Sequence, residues 1–211
     1  MDIGSEALSA YVFASKYSNT INGRRETWDD AIDRIEKMHR DYYGAKLAPV
    51  EAEFQSAIVA LRSKKVLGSQ RNMQYGGAAV LKKHARSYNC ATTYIDRPKV
   101  FAEVFWLLLC GCGVGFSAQK HHVAKLPPLH GPVEGPREKY VVDDSIEGWA
   151  DALDRLMASY FYSGPGVSFD YSQVRPEGAP LSSGAGFAPG PKPLRDALEA
   201  VRTLLDDCVV S

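Results

Sequence analysis

Four cysteines and a small set of polar side chains carry most of the chemistry open to these 211 residues. Asn89-Cys90 stands at the start of a β-prone run, with Lys82, Lys83, His84 and Arg86 just upstream. A thiol among cations can be a nucleophile or one half of a redox pair. A lone cysteine can equally be a small buried hydrophobe. No C-x-x-C is present, so a thioredoxin-type pair is absent. Cys110-Gly-Cys112 is too sparse for a zinc site, and no spacing rule joins it to His121-His122, so no metal site is expected. Gly111, Gly113 and Gly115 alternate, but they follow an apolar helical run and precede a β-prone one. A dinucleotide fingerprint needs the reverse order. The glycines permit close backbone approach to a ligand, or a helix cap followed by a tight turn. Gln173, Arg175, Glu177, Ser182 and Ser183 lie in a long stretch rich in proline and glycine. Their donors and acceptors suit a polar small molecule such as a nucleotide, and would also suit a solvated surface loop.

The elements that must position these residues fall into two regions. Residues 1–65 read as helices, with periodic apolar positions in Ile3–Tyr17, Glu26–Tyr43 and Val50–Ser63. Trp28, Ala31, Ile32, Ile35 and Met38 form the clearest stripe. Residues 66–211 mix short strands and helices. Leu67–Ala79, with Gly68, Gly76 and Gly77, reads as a loop with tight turns. Tyr88–Ile95, Val114–Ala118, Tyr140–Val142 and Val167–Tyr171 read as strands. Val100–Cys110 is apolar nearly all round and should be a buried helix. Leu126–Pro136 reads as an irregular connection because of its four prolines. A D-x-x-E capping pattern at Asp144 and Glu147 opens another helix. Ser172–Pro193 is a long loop, and such loops in compact domains are usually functional. A last helix from Pro193 or Leu194 is expected to end at Asp206-Asp207, the wrong charge for a helix C-terminus.

Composition narrows the classes. Lys plus Arg equals Asp plus Glu at 25 each, which argues against a nucleic-acid binder driven by bulk charge and against a polybasic membrane anchor. Apolar residues make up 45%, an ordinary globular share. The longest apolar run, Val104–Cys110, is far short of a membrane span, and no secretory signal is visible. Four cysteines do not resemble a secreted disulfide scaffold, so a reducing cytoplasm is the expected location.

Taken together, several stretches resemble the adenosylcobalamin-dependent (class II) ribonucleotide reductases. They are RRETWDDAIDR, the segment around NMQYGG, NCATTYI, LLLCGCGVGFSAQ with KLPPL, VVDDSIEGWADAL and FDYSQVRPEGAPLSSGAGFAPGPKPL. They follow the family's order and cover roughly residues 22–205. The resemblance implies an α/β fold: an N-terminal helical region followed by about half of the family's ten-stranded barrel. It implies thiyl-radical reduction of ribonucleotides, with adenosylcobalamin as radical source, a nucleotide effector and a thioredoxin-like reductant. Cys90 then matches the first of two reducing cysteines. Ser69 matches the first phosphate-contacting loop, where the family often has proline in place of Gly68. Asn89, Cys112 and Gly113 match segments lining the substrate pocket, with no redox role for Cys112. Gln173, Arg175, Glu177, Ser182 and Ser183 match the specificity loop. The family's N-P-C-x-E motif, which holds the radical cysteine, is absent from these residues. The chain therefore reads as the N-terminal part of a split reductase that needs a second polypeptide. A non-catalytic nucleotide-binding remnant and a truncated fragment are the alternatives.

Overall fold

In a helix that must bury one stripe, the start is fixed by whichever side chain can satisfy the first free N–H groups. The computed structural model, which describes residues 3–21, 23–181 and 186–210, shows this at several points. The chain divides into two compact units, Met1–Asn89 with Pro180–Gly186, and Cys90–Ala179 with Phe187–Ser211.

The first unit is helical: α1 (Ile3–Lys16), α2 (Trp28–Tyr43), α3 (Glu51–Arg62), α4 (Gln70–Tyr75) and α5 (Ala78–Lys82). A two-residue antiparallel pair, β1 (Thr20–Ile21) and β2 (Arg24–Arg25), precedes α2. Thr27 caps α2 reciprocally with Asp30: the Thr27 hydroxyl accepts from Asp30 N at 3.2 Å, and the carboxylate accepts from Thr27 N at 2.8 Å. Ile32, Ile35, Ile58 and Met73 form the core of this unit, with Trp28, Phe54 and Leu61 packed on it.

The segment expected to be a loop, Leu67–Ala79, contains α4 and the start of α5 instead. Two features explain this. Ser69 N-caps α4, and Arg34 grips its far end, donating to Met73 O and Gly76 O at 2.9 Å each. Arg34 is itself paired with Glu26 at 2.7 Å, and the Glu26 side chain is fully buried. Gly76 is needed there, because a Cβ would lie 2.3 Å from Asn72 O.

The second unit is built from two β-α-β units. Strands β3 (Cys90–Tyr94) and β4 (Gly113–Ser117) run parallel, with α6 (Val100–Leu109) between them in sequence. After α7 (Lys120–Val123), β5 (Val133–Val141) pairs in parallel with β6 (Pro165–Asp170), and α8 (Ile146–Phe161) connects them. The terminal helix α9 (Lys192–Val210) completes the core with α8 through Leu156, Tyr160, Leu194 and Leu198. Among the described residues the strands form three separate pairs, and no wider sheet joins them.

Four expectations need correction. First, β5 begins at Val133, inside the segment expected to be irregular. Pro136 is tolerated because it falls within a register shift between Val133 and Glu138. Second, α6 is not buried all round: Val100 and Ala102 are, whereas Leu108 is 51% exposed. Helix α8 and strands β3 and β4 pack against it, and they leave Leu108 uncovered. Third, Ser145, not Asp144, caps α8, accepting from Gly148 N at 3.0 Å. A hydroxyl that also donates to Asp143 Oδ2 at 2.6 Å closes the turn one residue later than the D-x-x-E pattern implies. Fourth, α9 runs on to Val210, so Asp206 lies inside it. There Asp206 accepts a hydrogen bond from the Tyr160 hydroxyl.

Candidate functional site

Cys90 opens β3, and its register partner on β4 is Gly113. The next pair on the same face is Thr92 with Gly115. Burial alternates along β3, so Cys90, Thr92 and Tyr94 are exposed while Ala91 and Thr93 are partly covered. Glycines opposite Cys90 and Thr92 leave bare backbone beside the thiol. The result is an open, flat floor with one sulfur at its edge. Cys112, immediately before Gly113, is only 4% exposed, and Cys110 only 1%. All four cysteines are free thiols, and Cys90 and Cys208 are the exposed pair.

In the helical unit, Ser69 is exposed at the start of α4. Asn72 N donates to its hydroxyl at 3.4 Å. Two residues on, Arg71 donates from Nε to Asn89 Oδ1 at 2.6 Å. The phosphate-loop candidate and the cysteine segment are thus tied through Arg71, a residue that sequence reasoning missed. A separation of 18 residues hides such a tie from any local pattern.

The first part of the long loop is pinned at several points. Ser172 N donates to Asp170 Oδ1 at 2.9 Å. Lys139 binds the same carboxylate at 2.9 Å, and these bonds hold Asp170 well below the usual carboxylate range, with Lys139 the larger cause. Val174 is buried in the core. Arg175 donates from Nε to Asp144 Oδ2 at 2.7 Å. Gly178 N donates to Ala188 O at 2.9 Å, and Ala188 N to Ala179 O at 2.7 Å. Gln173 and Glu177 project outward from this arch. Asp144, which aims the Arg175 guanidinium, was a cap candidate in the sequence and has a different role here. Ser182 and Ser183 lie outside the described residues.

No protein-family model matches the sequence. An adenosylcobalamin-dependent ribonucleoside-triphosphate reductase of Euglena gracilis is 26% identical over 225 residues, which cover 96% of this chain and 30% of that protein. A putative enzyme of the same description from Mycobacterium phage D29 is 26% identical, covering 89% of this chain and 31% of its own length. A solved B12-dependent (class II) ribonucleotide reductase superposes with a TM-score of 0.77 at 19% identity, over 94% of this chain and 37% of that one. Over most of its length this chain is similar to adenosylcobalamin-dependent ribonucleotide reductases. It spans about a third of the length of these reductases and matches an N-terminal part of them.

Among the described residues no three His, Cys, Asp or Glu side chains converge as metal ligands. His122 stacks on Tyr94 with ring centroids 4.4 Å apart, His121 lies tilted against it at 3.9 Å, and its buried Nδ1 lacks a partner among the described residues. Burial, then the neighbouring His121, pushes His122 below its ordinary pKa. Packed against these two rings, His122 is given no role toward a cofactor. No helix among the described residues is long and apolar enough to cross a membrane.

Proposed function

We propose that this chain is the part of a ribonucleotide reductase that carries the first reducing cysteine and the specificity loop. The observation that carries the reading is Cys90: an exposed, free thiol at the edge of the glycine-floored β3–β4 face. In this reading, β3–β4 and β5–β6 are wall segments of the family's barrel. Ser69 and Asn89, and separately the backbone at Cys112-Gly113, are substrate-contacting segments in this reading. The residues that the N-P-C-x-E motif would supply come from outside residues 1–211.

In this reading Cys90 supplies one of the two reducing equivalents that the reaction needs. Reduction at the ribose 2′ carbon replaces a hydroxyl with hydrogen and releases water. The two electrons come from two thiols, which leave as one disulfide. Cys90 is one of those thiols, and its partner lies in the complementary part. A thioredoxin-like dithiol then reduces the disulfide and resets the site. When bound, adenosylcobalamin supplies the initiating radical. Arg175, Gln173 and Glu177 read the nucleotide, with Asp144 fixing the Arg175 guanidinium by its Nε edge. That leaves both terminal nitrogens for a ligand.

In the enzyme assembled with its complement, Cys90→Ser is expected to abolish multiple turnover while leaving cobalt–carbon homolysis measurable. Normal steady-state turnover in this variant would remove Cys90 from the mechanism.

A further inference from the structure

Helix α7 is a single turn, and none of its four residues is buried. A helix this short does not hold itself. Its backbone is closed by Gln119, whose carbonyl accepts from His122 N at 2.9 Å and from Val123 N at 3.0 Å. A ring stack ties it to the sheet. The His122 imidazole lies on Tyr94, with centroids 4.4 Å apart and planes 29° apart, and His121 is tilted against the same imidazole at 3.9 Å. Tyr94 ends β3 on the face that carries Cys90 and Thr92, so the stack stands at the far end of that open floor.

The packing suits only one charge state of His122. Its Nδ1 is buried and has no hydrogen-bond partner among the described residues. An uncharged ring tolerates this by keeping its proton on Nε2 and a bare lone pair on Nδ1. A second proton must go to Nδ1. There it would make a charged, buried N–H with no acceptor, which is the costliest kind of unmade hydrogen bond. The surrounding charges act in the same direction. His121 and Lys125, from the same segment, oppose a cation on the ring, and Asp96, just beyond β3, favours one. Asp96 is already engaged by Arg97 at 2.7 Å. Tyr94 is the titratable side chain of β3 that faces the ring. Burial first, then His121 and Lys125, outweigh Asp96 and hold His122 below its ordinary value of 6.5.

We propose that the Tyr94–His122 stack is a pH-sensitive latch, which seats residues 118–125 at the end of the Cys90 face while His122 is neutral and releases them when the ring is protonated. Leu126 packs on the α8–α9 core and confines the movement to the residues before it. A seated ring is harder to protonate than a released one. The latch is therefore at full strength above the released ring's value and weakens as pH falls towards the seated ring's lower one. The device needs no reductase chemistry, and within the proposed function it makes one end of the Cys90 floor sensitive to acid.

The test follows hydrogen exchange of the 211-residue chain between about pH 7.5 and about pH 5.5, with times scaled for the intrinsic exchange rate. Peptides spanning 118–125 are read against α8. In the wild type, the segment is expected to lose protection about fivefold or more at the acid end while α8 keeps its own. His122→Phe keeps a ring on Tyr94 and cannot titrate, so its segment should be equally protected throughout. Lys125 is exposed, so Lys125→Gln should fold even where His122→Phe does not. Removing that cation should move the midpoint of release to higher pH. Circular dichroism monitors the folding of each variant. Protection that is unchanged with pH in the wild type would overturn the proposal. So would an equal loss in folded His122→Phe, an unmoved midpoint in Lys125→Gln, or a loss shared by α8, which would mark general acid unfolding instead.

Discussion

Exposure separates the four cysteines into two classes with different chemistry. Cys90 and Cys208 are open to solvent, whereas Cys110 and Cys112 are buried at the C-terminal end of α6. Iodoacetamide should therefore modify Cys90 and Cys208 at least about tenfold faster than the buried pair, all four becoming equivalent in denaturant. Peptide mass spectrometry reads the order directly, and a Cys90 no faster than Cys112 would contradict its place on an open face. Tyr160 makes a second residue-scale statement. It is 1% exposed and donates to Asp206. Burial first, and the Asp206 carboxylate second, push its phenol up to about 12. Because the folded value exceeds the ordinary 10.0, the stabilisation is complete below the unfolded value and is lost as pH climbs towards the folded one. Tyr160→Phe removes the hydrogen bond and should cost about 1–2 kcal/mol in urea titration. An unchanged midpoint would mean the contact adds nothing.

Elements position these groups through ties that span long stretches of chain. The Arg175–Asp144 bond joins the loop to the turn before α8 across 31 residues, and both partners are about one-third exposed. Such a pair is modest in energy, about 1 kcal/mol or less. It can hold a loop without locking it. Asp144→Asn should raise deuterium uptake in residues 172–178 severalfold while α8 and α9 keep theirs. Uptake equal to wild type would show that Val174 and the Ala188 bonds hold the arch alone. Arg175→Gln and Glu177→Gln should shift base preference in the assembled enzyme more than its overall rate, and an unchanged four-substrate profile would remove the loop from specificity. What was legible in sequence follows the same division. The stripe of α2 and the strands at Cys90, Gly113 and Val167 were readable from periodicity. Helix α4 was not, because what stabilises it is Arg34, 42 residues from its Gly76 partner. The first part of strand β5 was hidden by Pro136, which a register shift absorbs, whereas its end at Tyr140 and Val141 lies in an expected strand. At the site, Cys90 was singled out by its type and cationic neighbours and given its role by resemblance to a family, whereas Arg71 and the tie from Asp144 to Arg175 became visible only with coordinates.

At the scale of the whole molecule, the chain matches about a third of the reductases it resembles, and its sheets stand as separate pairs. The exposed aromatic and aliphatic groups of the second unit, with Tyr94 at 56%, Leu108 at 51% and Phe116 at 62%, fit a segment that shares its wall with further chain. In the proposed function, Cys90 works inside a ribonucleotide reductase whose radical cysteine lies outside residues 1–211. The most direct measurement is purification of the chain from its own host under native conditions, with mass spectrometry of the material and a ribonucleotide-reduction assay on it. The account predicts an active assembly that includes an N-P-C-x-E cysteine on a stoichiometric companion. The same motif on one longer polypeptide would keep the reductase reading and remove the second subunit. A folded chain that purifies alone and reduces no ribonucleotide would contradict the claim.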